Sequence, residues 1–177
     1  IGRVFRESPR DDFSYSSGLR STKSDYLVST SYESGKTIQA MARAIIDEGA
    51  SVTKAEAVVE IQRNKVKVNA GYSLLKADAY EERDDTVAEW KVSTRYTVND
   101  NWTVSNNLRY DLVSDKTAQA GLGLKYQNEC VNIDFSVSRR FTVSGTSKPS
   151  TTYDLTVDLL GFSTGGRSNV VTRSCRE

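Results

Sequence analysis

Between about residues 11 and 162 the chain is a succession of about ten segments, most of them alternating apolar and polar residues, with no amphipathic helix between them. From Trp102 to Leu112, residues Trp102, Val104, Leu108, Tyr110 and Leu112 share one parity, and Thr103, Ser105, Asn107, Arg109 and Asp111 share the other. A period of two is the signature of a strand with one apolar face. The pattern repeats with Val66, Val68, Ala70, Tyr72 and Leu74, with Ala88, Trp90, Val92, Thr94 and Tyr96, with Ala118, Ala120, Leu122, Leu124 and Tyr126, and with Val131, Ile133, Phe135 and Val137. It is weaker in the first segments, as in Ile38, Ala40, Ala42 and Ala44. The periodicity predicts strands over 12–20, 24–33, 37–46, 51–61, 65–76, 85–97, 101–113, 116–126, 130–142 and 151–162.

The connections alternate in character. Glu33-Ser34-Gly35-Lys36, Arg63-Asn64, Asn99-Asp100 and Gln127-Asn128-Glu129 are tight, whereas the other set includes the long loops 77–84 and 143–150. Tyr32, Tyr96, Trp102, Tyr126 and Phe162 fall at the tight-turn ends of the strands, and Tyr26, Trp90, Tyr110, Phe141 and Tyr153 fall toward the other ends. Short turns on one side, long loops on the other and two aromatic girdles are the layout of an outer-membrane barrel. The expected fold is therefore all-β, an antiparallel up-and-down transmembrane β-barrel with about ten strands in this chain. The expected organisation is a strand or loop lead-in over 1–11, barrel strands over 12–162 and a periplasmic C-terminal tail over 163–177. The tight turns and the C-terminus would be periplasmic, and the location the bacterial outer membrane.

Composition changes this picture little. Hydrophobic residues are 37% of 177, the net charge is +1, and no run approaches the roughly 20 apolar residues of a membrane helix. Near-neutral charge gives no indication of a nucleic-acid partner. A barrel tolerates low hydropathy because alternate residues face a polar lumen. The chain starts at Ile1 without an initiator Met or signal segment, and reads as a fragment of a longer protein.

The chemistry-bearing residues are few. Histidine is absent, so hydrolases that move protons through an imidazole are not expected, and no catalytic residue, metal ligand or cofactor is assigned. Ser34-Gly35-Lys36-Thr37 looks like the end of a phosphate loop, but Thr30 stands where the earlier glycine is needed. Inward-facing Lys91, Arg95, Arg109, Lys125 and Arg140 are expected to pair with Glu89, Asp111, Asp134, Asp154 and Asp158. Gly71, Gly121 and Gly123 on the same face are read as relieving crowding or permitting curvature. Cys130 and Cys175 have no metal-ligand spacing and are disulfide candidates, with connectivity left open.

Several stretches resemble the C-terminal barrel region of the LptD family of outer-membrane lipopolysaccharide-assembly proteins, in an alphaproteobacterial-looking version. They are Gly2-Arg3-Val4-Phe5-Arg6, Phe13-Ser14, Ser17-Gly18-Leu19, Ser24-Asp25-Tyr26, Gly121-Leu122-Gly123-Leu124-Lys125-Tyr126, Glu129-Cys130 and Tyr153-Asp154-Leu155 through Gly161-Phe162. The resemblance implies that these strands are part of a larger barrel, a non-enzymatic translocon in which lipopolysaccharide enters the lumen and leaves sideways into the outer leaflet. The implied partners are lipopolysaccharide, an LptE-like plug lipoprotein, periplasmic bridge proteins and outer-membrane lipids. The strand over 151–162, with Tyr153, Leu155, Val157 and Leu159, would be one lip of the lateral gate, weakened near Pro149, which has no N–H. Lumen cations would then have phosphates within reach as well as carboxylates. Glu129 precedes Cys130 where the family has an adjacent cysteine pair, so its disulfide map does not transfer directly. The rival readings are a self-contained ten-stranded pore or adhesin and a soluble β-sandwich binding module.

Overall fold

The computed structural model describes residues 1–141 and 148–160. It holds one nine-stranded antiparallel sheet in sequence order: β1 Tyr26–Ser34, β2 Ile38–Ile46, β3 Val52–Arg63, β4 Val66–Leu75, β5 Val87–Thr97, β6 Trp102–Asp111, β7 Lys116–Gln127, β8 Val131–Arg140 and β9 Ser150–Leu159. Each strand pairs with its chain neighbours, an up-and-down meander. The strand predicted over 12–20 does not form. That segment holds a 3₁₀ turn, Tyr15–Ser17, closed by Gly18 at φ +69°. Its Ser and Asp side chains compete for backbone hydrogen bonds and its alternation is short, so nothing holds it in a ladder. Residues 2–6 instead run antiparallel to 22–27, with Gly2 and Leu27 exchanging hydrogen bonds at 2.8 and 2.9 Å.

The tight turns have clear chemistry. Gly35 and Asn64 take positive φ values of 54° and 50°, conformations that Gly and Asn adopt at least cost. The Asn99 side-chain oxygen accepts from the N–H groups of Asn101 (3.0 Å) and Trp102 (2.8 Å). Asn128 does the same for Cys130 (2.9 Å) and Val131 (2.7 Å). Such Asx turns reverse the chain within a few residues.

Register breaks in two places, between Ile45 and Ile46 against β3 and between Arg109 and Tyr110 against β7. At the second, Tyr110 pairs with Thr117 and Arg109 with Gln119, leaving Ala118 as the extra residue. The alternation of β7 read from sequence therefore holds from Gln119 onward, and Ala118 is a bulge residue, 2% exposed.

The strands are also staggered. One row of partners runs Ser34, Ile38, Ile61, Val68, Thr94, Asn106, Leu122, Val137 and Tyr153. Its first pair sits at the first tight turn. Ile61 lies two residues from the last paired residue Arg63, Thr94 three from Thr97 and Leu122 five from Gln127. Keeping successive tight turns level requires strands tilted by about 30°, given roughly 3.3 Å per residue and 4.8 Å between strands.

No second layer covers the sheet among the described residues. The buried apolar residues there are Ala88 and Ala118, while Leu122, Leu155 and Tyr153 are 61%, 67% and 69% exposed. A β-sandwich needs a second sheet over the apolar face, and the described residues supply none.

Candidate functional site

Register assigns every strand residue to one of two faces. On the first, cross-strand rows are apolar over four or five successive strands: Val104, Leu124, Phe135 and Leu155 form one, and Val59, Ala70, Val92, Leu108 and Ala120 another, which continues into Arg139 and Thr151 on β8 and β9. Aromatic rings sit at both ends of this face. Trp102 packs on Tyr126 at the tight-turn end with centroids 4.9 Å apart, and Tyr72 packs on Trp90 at the opposite end at 5.2 Å. Both pairs are tilted, a favourable aromatic geometry. On β6 the span from Trp102 to Tyr110 is about 27 Å along the strand, or roughly 23 Å after a 30° tilt. That is close to the apolar band of an outer-membrane barrel, about 25 Å.

Tyr153, Leu155, Val157 and Leu159 lie on this apolar face of β9, paired with Val137, Phe135, Ile133 and Val131 of β8. All of β9 is exposed, and its far edge has no strand partner among the described residues. Pro149 directly precedes the strand, where its missing N–H costs no ladder bond. Cys130 opens the turn into β8. It is not a free thiol, and its carbonyl accepts from the Leu160 N–H at 2.7 Å. Phe162, Cys175, the tail 163–177 and most of loop 143–150 lie outside the described residues.

The second face is mostly polar, and two open depressions lie on it, one lined by Asn69, Lys91, Asn107 and Arg109 with Val58, the other by Arg43, Lys54 and Glu56 with Leu27 and Ile45. Lys91, Arg95, Arg109, Lys125 and Arg140 all belong to this face, but the expected general pairing with carboxylates is not what the structure holds. Lys91 and Arg109 share Glu89 at 3.8 and 3.6 Å. Among the described residues Arg95, Lys125 and Arg140 make no ion pair. Two of the carboxylates have other work. Asp111 accepts from the N–H groups of Val113 (2.8 Å) and Ser114 (3.2 Å) in its own turn, and Asp158 accepts from the Asn132 amide at 2.9 Å. Arg43–Glu56 (2.6 Å) and Lys67–Glu60 (2.7 Å) are the ion pairs formed between adjacent strands within β2–β4.

Gly121 and Gly123 are accounted for by crowding. A Cβ on Gly121 would stand 2.7 Å from the Asn107 amide nitrogen, and one on Gly123 would stand 2.5 Å from the Ser105 hydroxyl. Neighbouring polar side chains lie across the two glycines.

A polar latch went unread in the sequence. The Ser16 N–H donates to Asp78 (2.6 Å) and the Ser16 hydroxyl to Glu81 (2.9 Å). Lys54 of β3 (2.9 Å) and Arg83 (2.6 Å) also bind Glu81, and the Tyr80 hydroxyl donates to the Asp12 carbonyl (3.0 Å). Hydrogen bonds from Ser14, Lys54 and Arg83 hold the Glu81 carboxyl far below its usual range. Burial pushes Asp78 up, but hydrogen bonds from Ser16 and Tyr80 outweigh it and leave the carboxyl lowered. The latch joins the segment before β1 to loop 77–84 at the open-loop end. Its links from Asp12 and Ser16 to residues 78–81 span more than sixty residues, beyond any local pattern, though Asp78 ahead of the 3₁₀ turn Ala79–Glu81 is a recognisable cap.

What the chain defines, then, is an all-β protein whose single antiparallel meander has one apolar and one polar face. No family model matches it, and no curated protein matches it in sequence. Among the described residues no helix is long and apolar enough to cross a membrane, and no His, Cys, Asp or Glu cluster could hold a metal.

Proposed function

We propose that this sheet is part of the wall of a transmembrane β-barrel in a bacterial outer membrane, and that the barrel moves lipopolysaccharide. The observation that carries the membrane reading is the uncovered apolar face, bounded at both ends by aromatic pairs. Lipid is the solvent such a face matches, whereas water penalises it by about 1.5–3 kcal/mol for each large side chain left exposed. The stagger supports the same reading, because closing a sheet into a barrel requires tilted strands.

Nine strands place β1 and β9 parallel, and bacterial single-chain barrels close antiparallel with an even number. Among the described residues, that parity favours a section of a larger wall over closure of these nine strands on themselves, and the self-contained ten-stranded pore is the rival that the gel-shift and gate experiments weigh against it. The lipopolysaccharide reading rests on the resemblance to LptD-type proteins and is supported by the exposed β9 edge, which offers a seam. In that mechanism no bond is made or broken: sugars and phosphates pass along the polar face while acyl chains leave through the seam.

Two experiments test these levels. The folded protein in detergent should shift mobility on a gel when heated, and a detergent-free soluble monomer would defeat the barrel. Leu155→Cys or Val157→Cys, joined by a disulfide to a cysteine on the opposing first strand of the full-length protein, should block surface delivery of lipopolysaccharide. Normal delivery with the bond verified closed defeats the gate.

A further inference from the structure

We propose that Lys91 and Arg109 form an anion-binding site on the polar face, with Arg140 at its rim, and that its ligand is a phosphate group. Lys91 and Arg109 stand directly opposite each other on β5 and β6, and the row continues through Gln119 to Arg140. Like charges in opposed positions destabilise a sheet unless something neutralises them. Among the described residues Glu89 is the carboxylate within ion-pair reach of the two, at 3.6 and 3.8 Å, too long for a hydrogen bond, and Asp111 stands opposite Glu89 in the adjacent row. The Nε of Arg109, 3.6 Å from Glu89 Oε1, is buried without a hydrogen bond, so Glu89 leaves the guanidinium incompletely satisfied.

The surroundings match an oxyanion. The two cations border an open depression of about 400 Å³, and the amides of Asn107 and Gln119 line it with them. Beside the cationic row, on the side away from Glu89, partners Ser93, Asn107, Gly121 and Ser138 carry no charge and can hydrogen-bond around a bound group. A guanidinium fork flanked by an ammonium and neutral donors suits a phosphate, which offers several acceptor oxygens and up to two charges. The site rests on the reading of the polar face as a water-filled lumen, and it deepens that reading by naming the part of the cargo the wall holds. A free phosphate and the phosphate of a glycolipid share this chemistry.

The test uses the full protein folded in detergent, its fold first verified by the heat-dependent gel shift. Calorimetric titration with inorganic phosphate, and with micellar lipid A carrying or lacking its phosphates, is compared across variants. Saturable phosphate binding that weakens at least fivefold in Lys91→Gln and in Arg109→Gln, but not in Lys125→Gln on the same face, is the expected result. Phosphate should raise the unfolding temperature of the parent and not of the Lys91→Gln, Arg109→Gln double variant. Binding of inorganic phosphate alone assigns the site to a free ion, and binding of phosphorylated but not dephosphorylated lipid A assigns it to the cargo. Absence of saturable binding in a properly folded barrel overturns the site and leaves the barrel standing. Equal weakening by Lys125→Gln overturns it in favour of diffuse charge, and a protein that never shows the gel shift overturns both.

Discussion

Gly123 on β7 lies directly opposite Ser105 on β6, and a Cβ on that glycine would stand 2.5 Å from the serine hydroxyl. Gly123→Ala therefore forces Ser105 from its rotamer, at about 0.5–1.5 kcal/mol. In a Ser105→Ala background the clash is gone, and the same change should stabilise by about 0.5–1 kcal/mol through the lost backbone freedom of glycine. The glycine term is common to both backgrounds, so urea unfolding of the four proteins, followed by gel shift, should show Gly123→Ala less favourable in the parent than in the Ser105→Ala background by about 0.5–1.5 kcal/mol. Equal effects in both backgrounds would show that the hydroxyl does not occupy that space.

Leu122 on the apolar face and Ser136 on the polar face should answer oppositely to the same charge. If the apolar face meets lipid, Leu122→Arg costs about 2–4 kcal/mol toward the bilayer midplane, while Ser136→Arg costs little. Leu122 is 61% exposed, so on a water-soluble sheet its replacement would be neutral. The difference in unfolding free energy between the two variants in lipid vesicles separates the cases.

The two tryptophans lie toward opposite ends of the sheet. Trp90→Phe and Trp102→Phe each leave one indole, and each indole should be quenched best by lipids brominated near the headgroup. Strongest quenching by bromines at the chain terminus would place the rings mid-bilayer and defeat the girdle assignment.

The latch sets a pH window. The carboxyls of Asp78 and Glu81 are both lowered in the folded state, so their contribution is complete above the ordinary values of 3.8 and 4.5. It declines as the pH falls below them and is fully lost in strong acid. Hydrogen exchange in residues 12–18 and 77–84, corrected for intrinsic rate, should be unchanged between pH 5 and 8 and should rise below pH 4. Opening between pH 5 and 8 would contradict the lowered carboxyls.

Much of the fold was legible because a half-apolar sheet writes its register into the sequence. For β4 the parity of Val66, Val68, Ala70, Tyr72 and Leu74 left no choice of face, and the Asn side chains at 99 and 128 announced the turns. The stretch 12–20 misled because short runs such as Phe13 and Tyr15 alternate by chance, and the contacts that settle it come from Asp78 and Glu81. The Ala118 bulge was hidden since an extra residue leaves a local pattern intact on either side. The cations were found but their partners were not, because parity fixes a residue's face and not its neighbour across the ladder: Lys91 opposite Arg109 appears once the strands are in register.

The latch also divides the sheet mechanically. It cross-links the segment before β1, the start of β3 and the loop between β4 and β5, so that half behaves as a braced panel. From β6 to β9 no described contact bridges beyond the neighbouring strand, and each joint is a ladder of backbone bonds that can flex about its axis. A force that spreads the sheet is therefore taken up progressively toward β9, as a door swings from its hinge side.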